Sequence, residues 1–133
     1  YLNTREYIKR NIHGVVGFGM GGTFAIRFAS RRKRLRAAVS YYGRIPESDS
    51  ADKDLYCPVL YHRGEKDTWV SQQDIERFSV SAQQQQKRVE IRTYPGAGHA
   101  FSNETRPDSY HAEATAEAWN ATASFLKTCF QGI

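Results

Sequence analysis

His13-Gly14-Val15-Val16-Gly17-Phe18-Gly19-Met20-Gly21-Gly22-Thr23 decides how this chain is read. Gly14 to Phe18 is a short, nearly continuous apolar run, the pattern of a buried strand. A glycine-rich sharp turn follows, and Thr23 to Ser30 then reads as a helix packed on a sheet through Phe24, Ala25, Ile26, Phe28 and Ala29. Strand, sharp turn and helix in that order make a nucleophile elbow, in which the central residue of G-x-[S/C]-x-G carries the attacking atom. Here the pattern reads G-F-G-M-G, so Gly19 occupies the nucleophile position without a reactive group.

Working outward, Ala37 to Tyr42 is a second strand ended by Gly43. Residues 44–56 are polar, contain Pro46 and read as a loop. Val59 to His62 is a third strand, entered through Cys57-Pro58. A helix is expected from Ser71 to about Gln84, with Ser71 and Asp74 forming a capping box of the looser acidic kind. Val89 to Tyr94 is a fourth strand stopped by Pro95-Gly96. Tyr110 to Phe130 is a long closing helix with Ala116, Trp119, Ala123, Phe125 and Leu126 as candidate core residues. Residues 1–11 fit an amphipathic helix. Strands alternating with helices predict an α/β fold, with about four mostly parallel strands and helices on both faces.

The chain has 133 residues, which fits a single domain over 1–133 with a real core. No apolar stretch approaches the ~20 residues of a membrane-spanning helix, so no membrane partner is expected. The start, Tyr1-Leu2-Asn3-Thr4, lacks both a leader pattern and an initiator Met, so the chain reads as a piece of something longer. Cys57 and Cys129 form no metal or redox spacing and are expected as buried free thiols, which fits a reducing cytoplasm. The four histidines show no metal spacing, and neither metal nor cofactor is expected. His62 reads as a core or surface histidine, and His111 as a solvent-facing residue opening a helix. The net charge of +5 and the run Arg31-Arg32-Lys33-Arg34-Leu35-Arg36 raise nucleic-acid binding. That run follows a helix, where cations complement the dipole, and no recognition motif accompanies it, so no nucleic-acid partner is expected.

In open α/β sheets chemistry collects at the carboxyl ends of the strands. The first strand ends in the Gly19 elbow. The third leads into Gly64-Glu65-Lys66-Asp67, and the fourth into Pro95-Gly96-Ala97-Gly98-His99. Elbow, acid and histidine follow the chain order of α/β-hydrolases. Gly17, Gly19 and Gly22 also fit a dinucleotide fingerprint, but no acidic residue closes the second strand as that fingerprint requires. Ser40 and Ser102 lie on no elbow and are not expected to replace the nucleophile.

Gly17-Phe18-Gly19-Met20-Gly21-Gly22, Ser40-Tyr41-Tyr42-Gly43, Cys57-Pro58-Val59-Leu60, Gly64-Glu65-Lys66-Asp67 and Tyr94-Pro95-Gly96-Ala97-Gly98-His99-Ala100-Phe101 together resemble the dienelactone hydrolase (carboxymethylenebutenolidase) family. Arg106-Pro107-Asp108-Ser109-Tyr110 is similar to its bacterial members. The resemblance runs over essentially the whole chain but reaches only the C-terminal half of that family's α/β-hydrolase domain. It implies Asp67 as triad acid, His99 as triad base and the Met20 backbone N–H as one oxyanion donor. The family's carboxylate-binding arginine, four residues after the histidine, is replaced by Asn103.

Two readings follow. In the first, the chain is a pseudoenzyme: a non-hydrolytic binding or structural module that has lost its nucleophile. By the resemblance, its first strand would lack a neighbour, and Gly14 to Phe18 would pair with a second copy across a two-fold axis as a homodimer. In the second, it is an ester or lactone hydrolase that retains Asp67 and His99, with position 19 substituted or an N-terminal half absent. Either way, the expected ligand is a small ester or lactone. Restoring a thiol at position 19 alone is not expected to restore hydrolysis.

Overall fold

Apolar runs of strand length, separated by helical stretches, assemble into one four-stranded parallel sheet. The computed structural model describes residues 13–31, 35–45, 55–84, 86, 88–103, 105, 108 and 110–130. The expected helix over residues 1–11, positions 46–54 of the loop, cationic positions 32–34 and Arg106-Pro107 lie outside the described residues. The elements are β1 (His13–Phe18), α1 (Met20–Arg31), β2 (Leu35–Tyr41), β3 (Val59–Gly64), α2 (Gln72–Gln84), β4 (Val89–Tyr94) and α3 (Ala112–Phe130). The strands lie in the order β1-β2-β3-β4 and all run parallel.

Alternation along the strands divides the core in two. Ala38, Val59 and Tyr61 face Ile26 and Ala29 of α1 and Ile75, Phe78 and Ala82 of α2. Ala37, Val39, Tyr41, Leu60 and Tyr94 face Ala114, Ala118 and Phe125 of α3. Helices therefore cover both faces of the sheet, as expected. The start of α2 is set by Ser71, whose hydroxyl accepts the Asp74 N–H at 3.0 Å. Cys57 and Cys129 are both free; Cys57 is buried and Cys129 partly so.

The inward face of α3 differs from the expected one. Ala114, Ala118, Thr122 and Phe125 are buried, whereas Ala116, Trp119 and Ala123 are exposed. The cause is a polar network under the sheet. Thr122 Oγ1 is hydrogen-bonded to Tyr41 Oη at 2.8 Å and to His62 Nε2 at 2.8 Å, and His62 Nδ1 to Tyr94 Oη at 2.8 Å. A threonine that satisfies two buried groups belongs on the inner face although hydropathy places it outside. Phe24 and Phe28 also depart from expectation. With Met20 they form an exposed stripe at i, i+4 and i+8 along α1.

His62 is fully buried, so it is a core histidine. Burial first, and the nearby Arg92 charge second, lower its pKa from the ordinary 6.5 to about 3. The ring is neutral in the folded protein and charges more readily in the unfolded chain. Its contribution to stability is complete above pH 6.5 and is lost as pH falls from 6.5 toward about 3.

The two sheet edges differ in chemistry. On β4, Glu90 and Arg92 pair at 3.6 Å and are half-exposed. On β1, Gly14, Val15, Val16, Gly17 and Phe18 carry no charge, and Phe18 is 48% exposed. Charged side chains protect an edge from further pairing, and only β4 has them.

Two predictions follow from the core. Chemical denaturation between pH 7 and pH 4 should show stability falling by up to about 1.4 kcal/mol per pH unit from His62 alone. His62→Gln should flatten that dependence, and an unchanged slope would refute the assignment. Gly17 is the second test, because a Cβ there would stand 2.0 Å from the Gly21 carbonyl oxygen in the first turn of α1. Gly17→Ala should cost about 3 kcal/mol in a urea titration; a loss under about 0.5 kcal/mol would show that the helix start can shift freely.

Candidate active site

Parallel strands bring their carboxyl ends to one edge of the sheet, and the three sequence-predicted residues meet there. Gly19 follows β1 directly. Its N–H donates to the Tyr41 carbonyl at 2.9 Å, tying the turn to the end of β2, and its own carbonyl accepts the Thr23 N–H at 3.2 Å, opening α1. Its φ is +57°, in the left-handed region that side chains other than glycine adopt at a cost. A Cβ at Gly19 would nevertheless meet no atom within 4 Å. The turn leaves the space above position 19 open.

Close packing behind the elbow fixes its orientation. A Cβ on Gly22 would approach Ser40 Oγ to 2.6 Å and the Gly43 Cα to 3.1 Å, so α1 lies directly against the end of β2. Ser40 is fully buried there and Ser102 is half-buried, which leaves neither placed as an alternative nucleophile. Burial pushes the Cys57 thiol up to about 12. Cys129 is also raised, by burial, so neither cysteine is a ready thiolate.

Asp67 stands in the turn after β3. That turn is joined to the one after β4 by backbone hydrogen bonds from Glu65 N to Tyr94 O at 3.1 Å and from Lys66 N to Ala97 O at 2.8 Å. One oxygen of the buried Asp67 carboxylate accepts the N–H groups of Trp69 at 2.7 Å and Val70 at 3.2 Å. The other accepts His99 Nδ1–H at 2.9 Å. Asp67 therefore holds its own turn and also partners His99. Its hydrogen bond puts the proton on Nδ1 and leaves Nε2 of His99 free to accept one.

Aromatic rings hold the imidazole from two sides. Trp69 stacks on His99 with centroids 5.1 Å apart at 21°, and Tyr42 meets it edge-on at 5.2 Å. Burial, only partly opposed by a backbone hydrogen bond from Ser102, pushes the Tyr42 phenol up to about 12, so it stays protonated. The Arg44 guanidinium lies 5.5 Å from the Trp69 ring centroid. Two clefts flank the Gly19–His99 line. One, of about 630 Å³, is lined by Met20, Thr23, Phe24, Arg27 and Arg44 besides Gly19, Tyr42, Trp69 and His99. The other, of about 600 Å³, adds Phe18, Ala100, Ser102 and Asn103.

Tyr42, Trp69, Arg27 and Arg44 escaped the sequence reading. Trp69 carried one usable signal, its place two residues after the acid; the arginines carried none. His111 is half-buried instead of solvent-facing, because its Nδ1 accepts the Ala114 N–H at 3.1 Å and caps α3. Among the described residues no cluster of His, Cys, Asp and Glu could hold a metal ion, and no helix is long and apolar enough to cross a membrane.

Several proteins similar to this chain carry hydrolase names. The chain is 33% identical over 137 residues to a probable 2-oxo-3-(5-oxofuran-2-ylidene)propanoate lactonase of Bradyrhizobium sp, covering 96% of this chain and 54% of that protein. It is 31% identical over 129 residues to Protein usf of Aquifex pyrophilus, with coverages of 96% and 55%. The fold superposes with a TM-score of 0.88, at 19% identity, on a dienelactone hydrolase-like promiscuous phosphotriesterase from metagenomic libraries, covering 96% of this chain and 56% of that one. The chain spans about half the length of the curated relatives it matches. With the family model matching residues 1–130, the chain belongs to the dienelactone hydrolase family.

Proposed function

We propose that this chain is a ligand-binding module on a hydrolase fold, without an attacking group of its own, that takes a small ester or lactone into the clefts beside His99. The observation that carries the reading is Gly19, a left-handed elbow residue with open space above it next to a hydrogen-bonded Asp67–His99 pair. His99 in the role of triad base needs an O–H or S–H to deprotonate, and glycine offers neither. Removing a triad nucleophile costs on the order of 10⁶ in turnover, and the residual 10³–10⁴ over water depends on an intact oxyanion hole. The backbone N–H of Met20 supplies one donor.

A second reading is favoured by the intact 2.9 Å His99–Asp67 hydrogen bond: a weak ester or lactone hydrolase in which the free Nε2 of His99 activates water. The ligand class is carried over from the lactonase relative. The uncharged β1 edge, the exposed Phe18 and the Met20-Phe24-Phe28 stripe support a homodimer joined antiparallel through Gly14–Phe18. The two free thiols favour a cytoplasmic location.

Turnover of an activated ester should sit at the buffer rate for this chain, and Gly19→Ser or Gly19→Cys should raise it less than tenfold. Activity in the unmodified chain that His99→Ala abolishes would overturn the first reading in favour of the second. Sedimentation equilibrium should give twice the chain mass, and replacing Val16 by Lys should yield monomer. A well-behaved monomer at tens of micromolar would refute the dimer.

A further inference from the structure

The space above Gly19 is open and lies beside groups that could serve a reaction whose nucleophile arrives from solution. A Cβ would meet nothing there within 4 Å, and Gly19 and His99 line the same two clefts. His99 presents its free Nε2, because Nδ1 is bound to Asp67. The first turn of α1 begins at Met20, and backbone N–H groups of a helix's first turn lack intrahelical acceptors. Resting on the reading of a ligand-binding site without its own nucleophile, we propose that this space admits a small external thiol, which attacks the bound ester so that the acyl group passes to sulfur.

Chemistry selects the thiol class over water. A cysteine-type thiol has an ordinary pKa near 8.5 against 15.7 for water, so an imidazole removes the proton of such a thiol with an advantage of up to about seven orders of magnitude. The surroundings suit sulfur as well, since Met20, Phe24, Tyr42 and Trp69 line the larger cleft. In the reaction the S–H proton moves to His99 Nε2 as the S–C bond forms at the carbonyl. The oxyanion points at the Met20 N–H. The C–O bond to the leaving alcohol then breaks, and His99 returns the proton to that oxygen. Ester and thiol become thioester and alcohol, with no change of oxidation state. The chain's own cysteines do not compete, because Cys57 is buried and neither lines the clefts.

The experiment uses the unmodified chain with p-nitrophenyl acetate and 2-mercaptoethanol, following p-nitrophenol release and S-acetyl product by mass spectrometry. Thiol-dependent turnover should saturate at least tenfold above the uncatalysed thiol reaction and fall to that background in His99→Ala. Gly19→Val should also abolish it by filling that space. Because that variant is strained at φ +57°, a size series on the unmodified chain gives an independent check. Rates corrected for intrinsic reactivity should drop at least tenfold from 2-mercaptoethanol to tert-butyl thiol. No acceleration, equal acceleration in His99→Ala, or no dependence on thiol size would each overturn the proposal. Quenching of tryptophan fluorescence by γ-butyrolactone, measured in parallel, separates the two readings. Quenching without thiol transfer sinks only this proposal, whereas absence of quenching counts against ligand binding itself.

Discussion

The parallel ladder between β1 and β2 is the constraint on which the rest of the site depends. It places Phe18 opposite Tyr41, and from there the Gly19 N–H reaches the Tyr41 carbonyl. One hydrogen bond thus fixes where the elbow turns, where α1 begins and which way position 19 faces. The next ladders carry the same alignment across the sheet, Tyr41 opposite His62 and Gly64 opposite Tyr94. The acid and histidine turns therefore leave the sheet at one edge. Their mutual backbone bonds convert that coincidence of level into a rigid unit, which is why a partly exposed His99 can hold one orientation.

Below this edge the molecule solves a different problem. Tyr41, His62, Tyr94 and Thr122 bring four polar groups into a region where an unpaired one would cost about 1–3 kcal/mol. Each finds a partner, so the carboxyl ends of three strands are tied to α3 by directional bonds as well as by packing. Directional contacts restrict sliding of α3 more strongly than apolar ones of the same area. The site above inherits that stiffness.

Much of this was legible in the residues. Val89–Tyr94 was bounded correctly, the Ser71 cap was recognised, and elbow, acid and histidine could be ordered along the chain, because each has a local signature. The face of α3 was not legible. Its buried Thr122 answers to Tyr41 and His62, which lie 81 and 60 residues away, and no local pattern encodes that demand. Arg27 and Arg44 were missed for the same reason, since only the crossing of α1 over the end of β2 turns two surface cations into cleft walls. The pairing of Asp67 with His99 could be anticipated, but the carboxylate's second task, holding the Trp69 and Val70 amides, could not.

That double employment makes the members of the constellation unequal under mutation. A Cβ at position 19 would meet no atom within 4 Å, so glycine there forfeits no packing at that atom and relieves backbone strain. Deleting the Asp67 carboxylate would strand two amides and open the turn that carries Trp69 over His99. Position 19 can therefore change without disturbing its neighbours at the Cβ, whereas Asp67 is held in place by the folding of its own loop.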